Sequence, residues 1–430
     1  MKAQLVPVFF PEGRDEEFDE QVTRLRSLLG EVAEIMDPVG LGTSLPEQAD
    51  AVVFPQILGE AYGRLADFKA IELPMLIITS EFGTVSMWDW EIISYLKSEG
   101  VSTIAPYNLD QAQSICRALG ARDALDGGKF LVFQDDPGEG MQASIFKRFY
   151  WWEDACIQRM KDRFGLTIVR KSFEALGEAA QRIPDEEADE AWEAWQLPTE
   201  GVSDRALRNA VKQYLALKRE VEKDPAILAA GQNCLNESYF SDTTPCLAWA
   251  MLYEELDLIW GCEADTMTML TKFILLKSLD VPMMMSNVYP FLMGQAALKH
   301  EGIPEFPDTE DPDDHILMAH CGYLGVVPKP FCTSWALKPK VLAIVDDQAT
   351  ALDARLPTGD VTLAKLGPSM RTLSVVEGTL EEYVQYPGSD CRNGAVIRVP
   401  DGPSLMEKLV SHHYLLITGH QLADIEMIAP

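Results

Sequence analysis

The sequence predicts an α/β protein in which two doubly wound domains are followed by a mostly antiparallel β-barrel-type domain. Apolar strand-like runs alternate with helical patterns over residues 1–163, and a second set of this kind covers residues 164–295. Short β-type runs separated by turn residues fill residues 296–430. Strands that alternate with helices indicate parallel sheets covered on both faces, whereas short runs between turns indicate antiparallel pairing.

The first domain, residues 1–163, opens on an apolar strand at 4–10 and a charged amphipathic helix at 15–29. The continued alternation favours a flavodoxin-like arrangement. The sequence contains no Gly-rich phosphate-binding loop, so nucleotide and dinucleotide binding are not predicted. The other predicted strands are 32–36, 51–54, 73–79, 101–106 and 129–134, and the other predicted helices are 58–71, 87–98 and 109–119.

The second domain, residues 164–295, follows a long helix predicted over residues 142–164. Its centre is a strand at 256–262, a helix at 266–279 and a strand at 281–285. Such a unit places its two strands parallel and side by side, and ligands of open α/β sheets bind outside the carboxyl ends of the strands. Further strands are predicted at 166–170 and 226–235, and further helices at 184–195, 204–223 and 245–255.

The third domain, residues 296–430, begins with a loop rich in proline and aspartate at 304–314, which indicates a hinge or boundary. The short apolar runs that follow predict an antiparallel domain, such as a small barrel. We predict strands at 316–320, 341–345, 361–366, 372–376, 395–399 and 414–418, and a helix at 405–410.

The composition argues against several classes of partner. The chain has 67 acidic and 36 basic residues, for a formal net charge of −31. A chain this acidic is unsuited to nucleic acid or to an anionic membrane, and no apolar run is long enough to span a bilayer. Eight scattered cysteines without a CxxC pair, and an N-terminus unlike a signal peptide, indicate a cytoplasmic protein with reduced thiols.

Polar residues that could carry chemistry follow several of the predicted strands. Glu263 and Asn287 stand at the ends of the two strands of the central unit, where they would face one crevice. His320 ends another strand, and His412 and His413 directly precede the last one. These oxygen and imidazole ligands suit Mn²⁺, or Mg²⁺ or Co²⁺, better than structural zinc.

Each candidate also has a structural interpretation. Glu263 could be a charge beside the following helix N-terminus, a role for which Asp265 is the favoured residue. His320 could be a core histidine that is hydrogen-bonded to the backbone. His412 and His413 point to opposite faces if the chain is extended there, so we expect one of them at most to be a ligand.

The sequence Gly-Cys-Glu-Ala-Asp at 261–265, followed by a helix and a strand that carries the second candidate ligand, resembles the L-fucose/L-arabinose isomerase superfamily. The resemblance covers nearly the whole chain and implies two flavodoxin-like domains and a β-barrel-type domain. It implies a metal-binding carboxylate at Glu263, a ligand histidine at His412 or His413, and a further active-site position at His320. The implied reaction is the metal-dependent aldose–ketose isomerisation of a free sugar, such as L-fucose, D-arabinose or L-arabinose, through an enediol.

The chain departs from this family at Asn287, where the fucose-type members have aspartate. Asparagine can coordinate a cation through its carbonyl oxygen but cannot act as a general base. Our leading hypothesis is an isomerase in which Glu263 is ligand and base, Asn287 is a ligand or substrate contact, and His320 is an auxiliary contact or acid. The alternatives are a non-catalytic sugar-binding or regulatory relative, and a different reaction of a polyol or sugar acid in the same cleft.

The resemblance also implies a homo-trimer or homo-hexamer in which the N-terminal domain of a neighbouring subunit closes the site. Trp88, Trp90, Trp151 and Trp152 suit such an interface, and packing inside the chain is their other interpretation. We expect a small-molecule sugar as the ligand, with no nucleic acid and no membrane as partner.

Overall fold

Two parallel sheets and a closed antiparallel barrel carry the fold, which confirms the mixed α/β class. The structure is a computed structural model of the chain. Met1–Asp126, Ile274–Asp280 and Ala423–Pro430 form one unit, and Gly127–Phe273 with Val281–Leu422 form the other. The structure describes residues 2–11, 14–135, 149–195, 197–234, 241–290, 309–320, 332–339, 349–384 and 394–428.

The first unit contains a sheet in which all strand pairs are parallel. Its strands are β1 (Ala3–Phe9), β2 (Ala33–Ile35), β3 (Val39–Gly40), β4 (Ala51–Phe54) and β5 (Met75–Ile77), in the order β2-β1-β4-β5 with β3 also beside β1. Its main helices are α1 (Glu16–Leu29), α2 (Leu65–Lys69), α3 (Trp90–Ser98) and α4 (Leu109–Leu125). Helices pack on both faces of this sheet. On one face Leu5 of β1 shares an apolar cluster with Phe18 of α1, and on the other Val8 of β1 shares a cluster with Phe68 of α2.

A second parallel sheet lies in the second unit, in the strand order β7-β6-β8-β9. Its strands are β6 (Lys129–Phe133), β7 (Thr167–Lys171), β8 (Ile227–Gln232) and β9 (Ile259–Cys262). The helices that accompany it are α5 (Asp154–Phe164), α6 (Phe173–Gln181), α7 (Asp185–Trp195), α8 (Asp204–Val221), α9 (Cys246–Leu256) and α10 (Thr266–Leu279). The carboxyl ends of β6, β8 and β9 carry Gln134, Asn233 and Glu263, so polar side chains gather at one edge of the sheet.

The position of β6 corrects the expected domain division into residues 1–163, 164–295 and 296–430. We assigned this strand to the N-terminal domain, but it pairs with β7 and β8, and the first unit ends at Asp126. A strand buried on both faces fits the middle of any parallel sheet. The alternation of strands and helices therefore continues from the first sheet into the second, so the sequence pattern does not show where the first unit ends.

Six antiparallel strands close a barrel in the order β10-β11-β16-β15-β14-β17, which confirms the predicted β-rich domain. Two further strands, β12 and β13, pair with each other. The strands are β10 (Met283–Pro290), β11 (His315–Ala319), β12 (Ser334–Pro339), β13 (Thr350–Arg355), β14 (Gly359–Leu366), β15 (Leu373–Val384), β16 (Gly394–Arg398) and β17 (His413–Thr418). The remaining helices are α11 (Gly402–Lys408) and α12 (Leu422–Ile428).

Strand β10 corrects the expected strand-helix-strand unit. We predicted that it would lie parallel to β9, but it pairs antiparallel with β11 and β17 in the barrel. Its residues Met283, Met284 and Met285 are all buried. A run that is apolar on both faces suits either a parallel sheet or a barrel wall, so the local pattern does not choose between them.

Several smaller predictions have mixed outcomes. The strand predicted at 101–106 is a single bridge between Ile104 and Leu76. The strand predicted at 341–345, residues 142–148 of the helix predicted at 142–164, most of the loop at 304–314 and the boundary at 295 lie outside the described residues. Within the described part, that helix begins only at Asp154, after a 3-10 turn at Tyr150–Trp152. Cys116, Cys156 and Cys234 in the described part of the chain are free thiols. Across that same part, every helix is too short or too polar to cross a membrane.

Candidate metal centre

Glu263 stands at the carboxyl end of β9, in a turn with unusual backbone geometry. Glu263 and the next residue, Ala264, have φ values of 55° and 51°, in the left-handed region. A non-glycine residue there costs of the order of 1–3 kcal/mol, so the surroundings must hold the turn. Ala264 N donates to Gln232 O at 3.0 Å, and Trp152 Nε1 donates to Glu263 O at 3.1 Å. The side chain of Glu263 is thereby fixed just beyond the sheet edge, where it is only 8% exposed.

Asp265 begins helix α10 and joins it to the barrel. Its Oδ1 accepts from Thr268 N at 2.8 Å and its Oδ2 from Thr268 Oγ1 at 2.7 Å, which confirms the predicted role at the helix N-terminus. Oδ2 also accepts from Lys365 Nζ at 3.0 Å and from His413 Nδ1 at 2.8 Å. All four side chains are fully buried. Asp265 is therefore more than a helix cap, because it also fixes the orientation of a candidate ligand histidine.

The two adjacent histidines both reach Glu263. Because Nδ1 of His413 donates to Asp265, its Nε2 faces Glu263 and lies 3.4 Å from Oε2. His412 lies just before β17, where its carbonyl accepts from Val288 N at 2.9 Å. The two imidazole centroids are 4.0 Å apart. The expectation that the pair point to opposite faces is wrong, because strand alternation begins only at His413.

Glu263, His412 and His413 form a set of potential metal ligands. Each offers one ligand atom, and the three atoms lie within 4.8 Å of one another. His413 Nε2 is buried and faces Glu263 Oε2 at 3.4 Å, so a cation held between these two atoms would replace the proton that they share. One carboxylate and two imidazoles are typical of catalytic divalent-metal sites with open positions. This donor set fits Mn²⁺, Fe²⁺, Co²⁺ or Zn²⁺ better than Mg²⁺, which prefers oxygen ligands.

His320, predicted as an active-site position, lies beside this set. Its Nε2 is 3.9 Å from Glu263 Oε1, and its ring centroid is 5.7 Å from that of His413. The two oxygens of Glu263 therefore face different histidines, with Oε2 toward His413 and Oε1 toward His320. His320 is 2% exposed, so it is buried as the core interpretation expected, but it is buried against the candidate centre.

Asn287 does not lie beside Glu263 on a parallel strand as predicted, but it is adjacent to His413. The two residues are directly paired in the β10–β17 ladder, and paired residues of an antiparallel ladder have side chains on the same face. Asn287 Nδ2 donates to Tyr289 Oη at 3.3 Å. Its Oδ1 is buried and has no hydrogen-bond partner among the residues that the structure describes. An amide oxygen is thus available on the ligand-bearing face of the barrel wall.

Aromatic residues also contribute to this centre, which the sequence did not predict. Trp151 and Trp152 are 2% and 5% exposed, so their interpretation as packing residues is confirmed and their assignment to a subunit interface is wrong. The Trp151 ring lies 5.6 Å from the His413 ring and 5.9 Å from the His412 ring, measured between centroids. A run of four aromatic residues at 149–152 was the available signal. Two of its rings, Phe149 and Trp151, pack against the candidate ligand histidines.

Lys365 is a second residue that sequence analysis missed. It is fully buried in β14, and its Nζ donates to Asp265 and to Thr268. Burial lowers the pKa of Lys365, although the charge of Asp265 opposes that shift. A single lysine within the apolar run of residues 361–366 was the sequence signal. The lysine supplies a counter-charge for the buried carboxylate behind the candidate ligands.

The charges of the centre form a buried ion pair when no cation is bound. Burial opposes both charged forms, but Glu263 and Asp265 raise the pKa of His413 to about 9, and His413 lowers the pKa of Glu263 to about 2. Burial, together with the charge of His413, lowers the pKa of His412 to about 3. At neutral pH Glu263 is therefore ionised, His412 is neutral and His413 carries the proton that a cation would replace.

We expect the affinity of this centre for a divalent cation to rise with pH by about tenfold per unit, up to about pH 9. The pKa of His413 is raised to about 9, so cation binding below that pH must release one proton. Calorimetric titration with Co²⁺ in buffers of different ionisation enthalpy measures both the affinity and the released proton. His413→Gln is the control and should lose the dependence. Affinity that is flat with pH in the unchanged protein contradicts this account.

Comparison with protein-family models and with curated proteins finds no match to this chain. The functional assignment therefore depends on the geometry of the centre and on the resemblance in the residues around Glu263.

Proposed function

We propose that this chain is a divalent-metal-dependent aldose–ketose isomerase of the L-fucose/L-arabinose isomerase type. The observation that supports it most is the convergence of Glu263, His412 and His413 at the carboxyl edge of a parallel sheet, which is where the resemblance implies a metal centre. Mn²⁺ or Co²⁺ is the proposed cation, and a free sugar such as L-fucose, D-arabinose or L-arabinose is the proposed substrate. The flavodoxin-like form of the two parallel-sheet regions belongs to the same proposal.

A bound divalent cation would polarise the sugar carbonyl and hold two neighbouring oxygens of the substrate. The protein residues then have to move one proton between adjacent carbon atoms. Glu263 suits this work because its Oε2 faces His413 while its Oε1 faces His320, 3.9 Å away. Asp265 is unsuited, since its carboxylate already accepts four hydrogen bonds. Glu263 is therefore the proposed base, and His320 is the proposed partner that exchanges protons with the substrate oxygens.

We expect Glu263→Ala to abolish binding of Mn²⁺ and the Mn²⁺-dependent conversion of these three sugars to their ketoses. The variant loses the carboxylate of the ligand set and the proposed base together. The assay is product formation by each sugar with and without Mn²⁺, alongside calorimetry of Mn²⁺ binding. Glu174→Ala, at an exposed position on α6, is the matched control and should behave like the unchanged protein. Unimpaired conversion by Glu263→Ala would exclude this mechanism.

A second candidate function is a sugar-binding or regulatory protein without turnover. The observation that favours it is Asn287, an amide where the resemblance implies a second carboxylate. Asn287→Asp separates the two candidates, because an added carboxylate opposite His413 should tighten Mn²⁺ binding. If the unchanged protein binds sugar without converting it, and Asn287→Asp gains conversion, the second function is the correct one.

The expected homo-trimer or homo-hexamer remains part of the proposal. Trp88 and Trp90 of the first unit are 81% and 47% exposed, which suits a subunit contact better than packing within the chain.

A further inference from the structure

A cavity of about 250 Å³ lies in the second unit. Its walls come from helices α6 and α8 and from residues 241–243. None of its lining residues is among the candidate ligands Glu263, His412 and His413. The described lining of the cavity and the candidate ligand set therefore share no residue, and the proposed isomerase reaction assigns no role to the cavity.

Two residues that line this cavity, Asn209 and Gln213, and one that is hydrogen-bonded to Gln213, Gln232, each carry an amide atom without a partner in the described part of the chain. Gln213 is fully buried on α8 and lines the cavity, and its Nε2 donates to Gln232 Oε1 at 2.8 Å. Within the described part of the chain, Gln213 Oε1 and Gln232 Nε2 make no hydrogen bond. Asn209 lies one helical turn before Gln213 and also lines the cavity, and its buried Nδ2 is likewise without a partner there. The cavity lining thus includes one residue with an unused donor, Asn209, and one with an unused acceptor, Gln213.

Unused amide groups of this kind call for a partner in the cavity. A buried polar atom without a hydrogen bond loses its contact with water and gains nothing in return, so folded proteins rarely keep several together. This count does not depend on which amide atom is assigned as oxygen and which as nitrogen. If both side chains are flipped, Gln232 donates to Gln213, and one oxygen and one nitrogen again have no partner. The pair therefore needs an outside group that both donates and accepts.

The charges around the cavity indicate a neutral partner. Lys212 lines the cavity, but its Nζ is 2.5 Å from Asp185 Oδ1 in a salt bridge. Asp242, on another wall, accepts from Gln181 Nε2 at 3.3 Å. The groups that remain are amides and the hydroxyl-bearing residues Ser241 and Thr243, all of which exchange hydrogen bonds with hydroxyl groups.

We propose that this cavity binds a small neutral polyhydroxy molecule, a monosaccharide or a polyol, through Asn209 and Gln213. A hydroxyl group both donates and accepts, so one ligand can satisfy Asn209 Nδ2 and Gln213 Oε1 together. The volume of about 250 Å³ is near the lower limit for small-molecule sites, which favours a single sugar ring or a short polyol over a larger ligand. Binding needs no cation and is independent of the proposed isomerase activity.

The test is calorimetry on the full chain with Glu263→Ala and with EDTA present, which removes the candidate metal centre from the measurement. The probes are L-fucose, D-arabinose, L-arabinose, D-glucose, ribitol and glycerol, with D-gluconate as the charged counterpart of D-glucose. We expect at least one neutral probe to bind and D-gluconate to bind more weakly than D-glucose. Introducing Asn209→Leu or Gln213→Leu should weaken that binding by about 3–10-fold, the effect of one lost hydrogen bond.

Gln158→Leu, at an exposed amide on α5, is the matched control and should leave binding unchanged. Asn209 is partly exposed, so Asn209→Leu keeps the test valid if Gln213→Leu fails to fold. The proposal is overturned if none of the neutral probes binds, if D-gluconate binds more tightly than D-glucose, or if both leucine variants bind as well as the unchanged protein. The proposal is also overturned if Asn209→Leu and Gln213→Leu both raise the melting temperature while no neutral probe binds to the unchanged protein. The two amides would then hydrogen-bond only to water.

Discussion

Replacing Asp265 with asparagine is expected to lower the free energy of unfolding by about 3–5 kcal/mol and to weaken divalent-cation binding by about 10–100-fold. Both effects come from one carboxylate oxygen, Oδ2, which accepts hydrogen bonds from Lys365 and His413. Removing its charge leaves the fully buried ammonium of Lys365 unpaired, which is the source of the lost stability. It also leaves one amide oxygen for donors that two carboxylate oxygens had shared, and removes the charge that holds His413 toward Glu263, which is the source of the lost affinity.

A double variant separates these two effects. Asp265→Asn combined with Lys365→Met removes the unpaired ammonium, so most of the free energy of unfolding should return while cation affinity stays low. Urea unfolding measures the first quantity and Mn²⁺ calorimetry measures the second. If the double variant also recovers full affinity, Asp265 acts on the centre only through the fold.

Asp15→Asn is the control for the helix-capping part of the Asp265 effect. Asp15 is the N-cap of α1, is exposed, and accepts from Phe18 N at 2.9 Å. Asparagine caps a helix about as well as aspartate, so this change should be nearly neutral. A large loss of stability in Asp15→Asn would mean that capping, and not the buried network, accounts for the Asp265 result.

Lys272→Met is expected to raise the free energy of unfolding by about 1–3 kcal/mol at neutral pH. Lys272 is fully buried in α10, and its Nζ has no hydrogen-bond partner in the part of the chain that the structure describes. Nζ lies 3.4 Å from the centroid of the Trp260 ring. A ring face returns about 2 kcal/mol to a desolvated ammonium, whereas burying an unpaired ammonium costs several kcal/mol, so burial prevails. Methionine fills the same unbranched space without an amine.

The pH dependence of this gain provides a sharper measurement. Burial lowers the pKa of Lys272 well below its usual range, so between the folded and unfolded pKa values the unfolded chain binds more protons. Deprotonation of Lys272 therefore makes the free energy of unfolding of the unchanged protein rise with pH. The rise is at most about 1.4 kcal/mol per pH unit and ends at about pH 10.4. The advantage of Lys272→Met should consequently shrink as the pH rises from neutral toward about 10.

Urea unfolding of both proteins at several pH values gives this difference directly, and groups common to both cancel. Lys161→Met, at an exposed position on α5, is the control and should change the free energy of unfolding by less than about 0.5 kcal/mol. An advantage of Lys272→Met that stays constant with pH would show that Lys272 keeps its proton in the folded protein.

Local sequence determined most of the elements and part of the candidate site. Helix α10 was predicted at 266–279 and begins and ends there, because an apolar run of helix formers follows the N-cap Asp265. Glu263 is predicted at the end of one strand and His413 directly before another, and both belong to the candidate metal centre. Hydrophobic periodicity, helix capping and the position of strand ends depend on residues only a few positions apart. These features can therefore be inferred from neighbouring positions alone.

The tertiary structure alone decided which strands pair and which residues complete the centre. Strands β6 and β10 are buried runs that several sheets could accept, and only their partners assign β6 to the second parallel sheet and β10 to the barrel. Asp265 meets Lys365 and His413 across 100 and 148 positions of the chain. Burial in a shared, water-free interior makes these distant charges depend on one another, and no local pattern encodes that dependence.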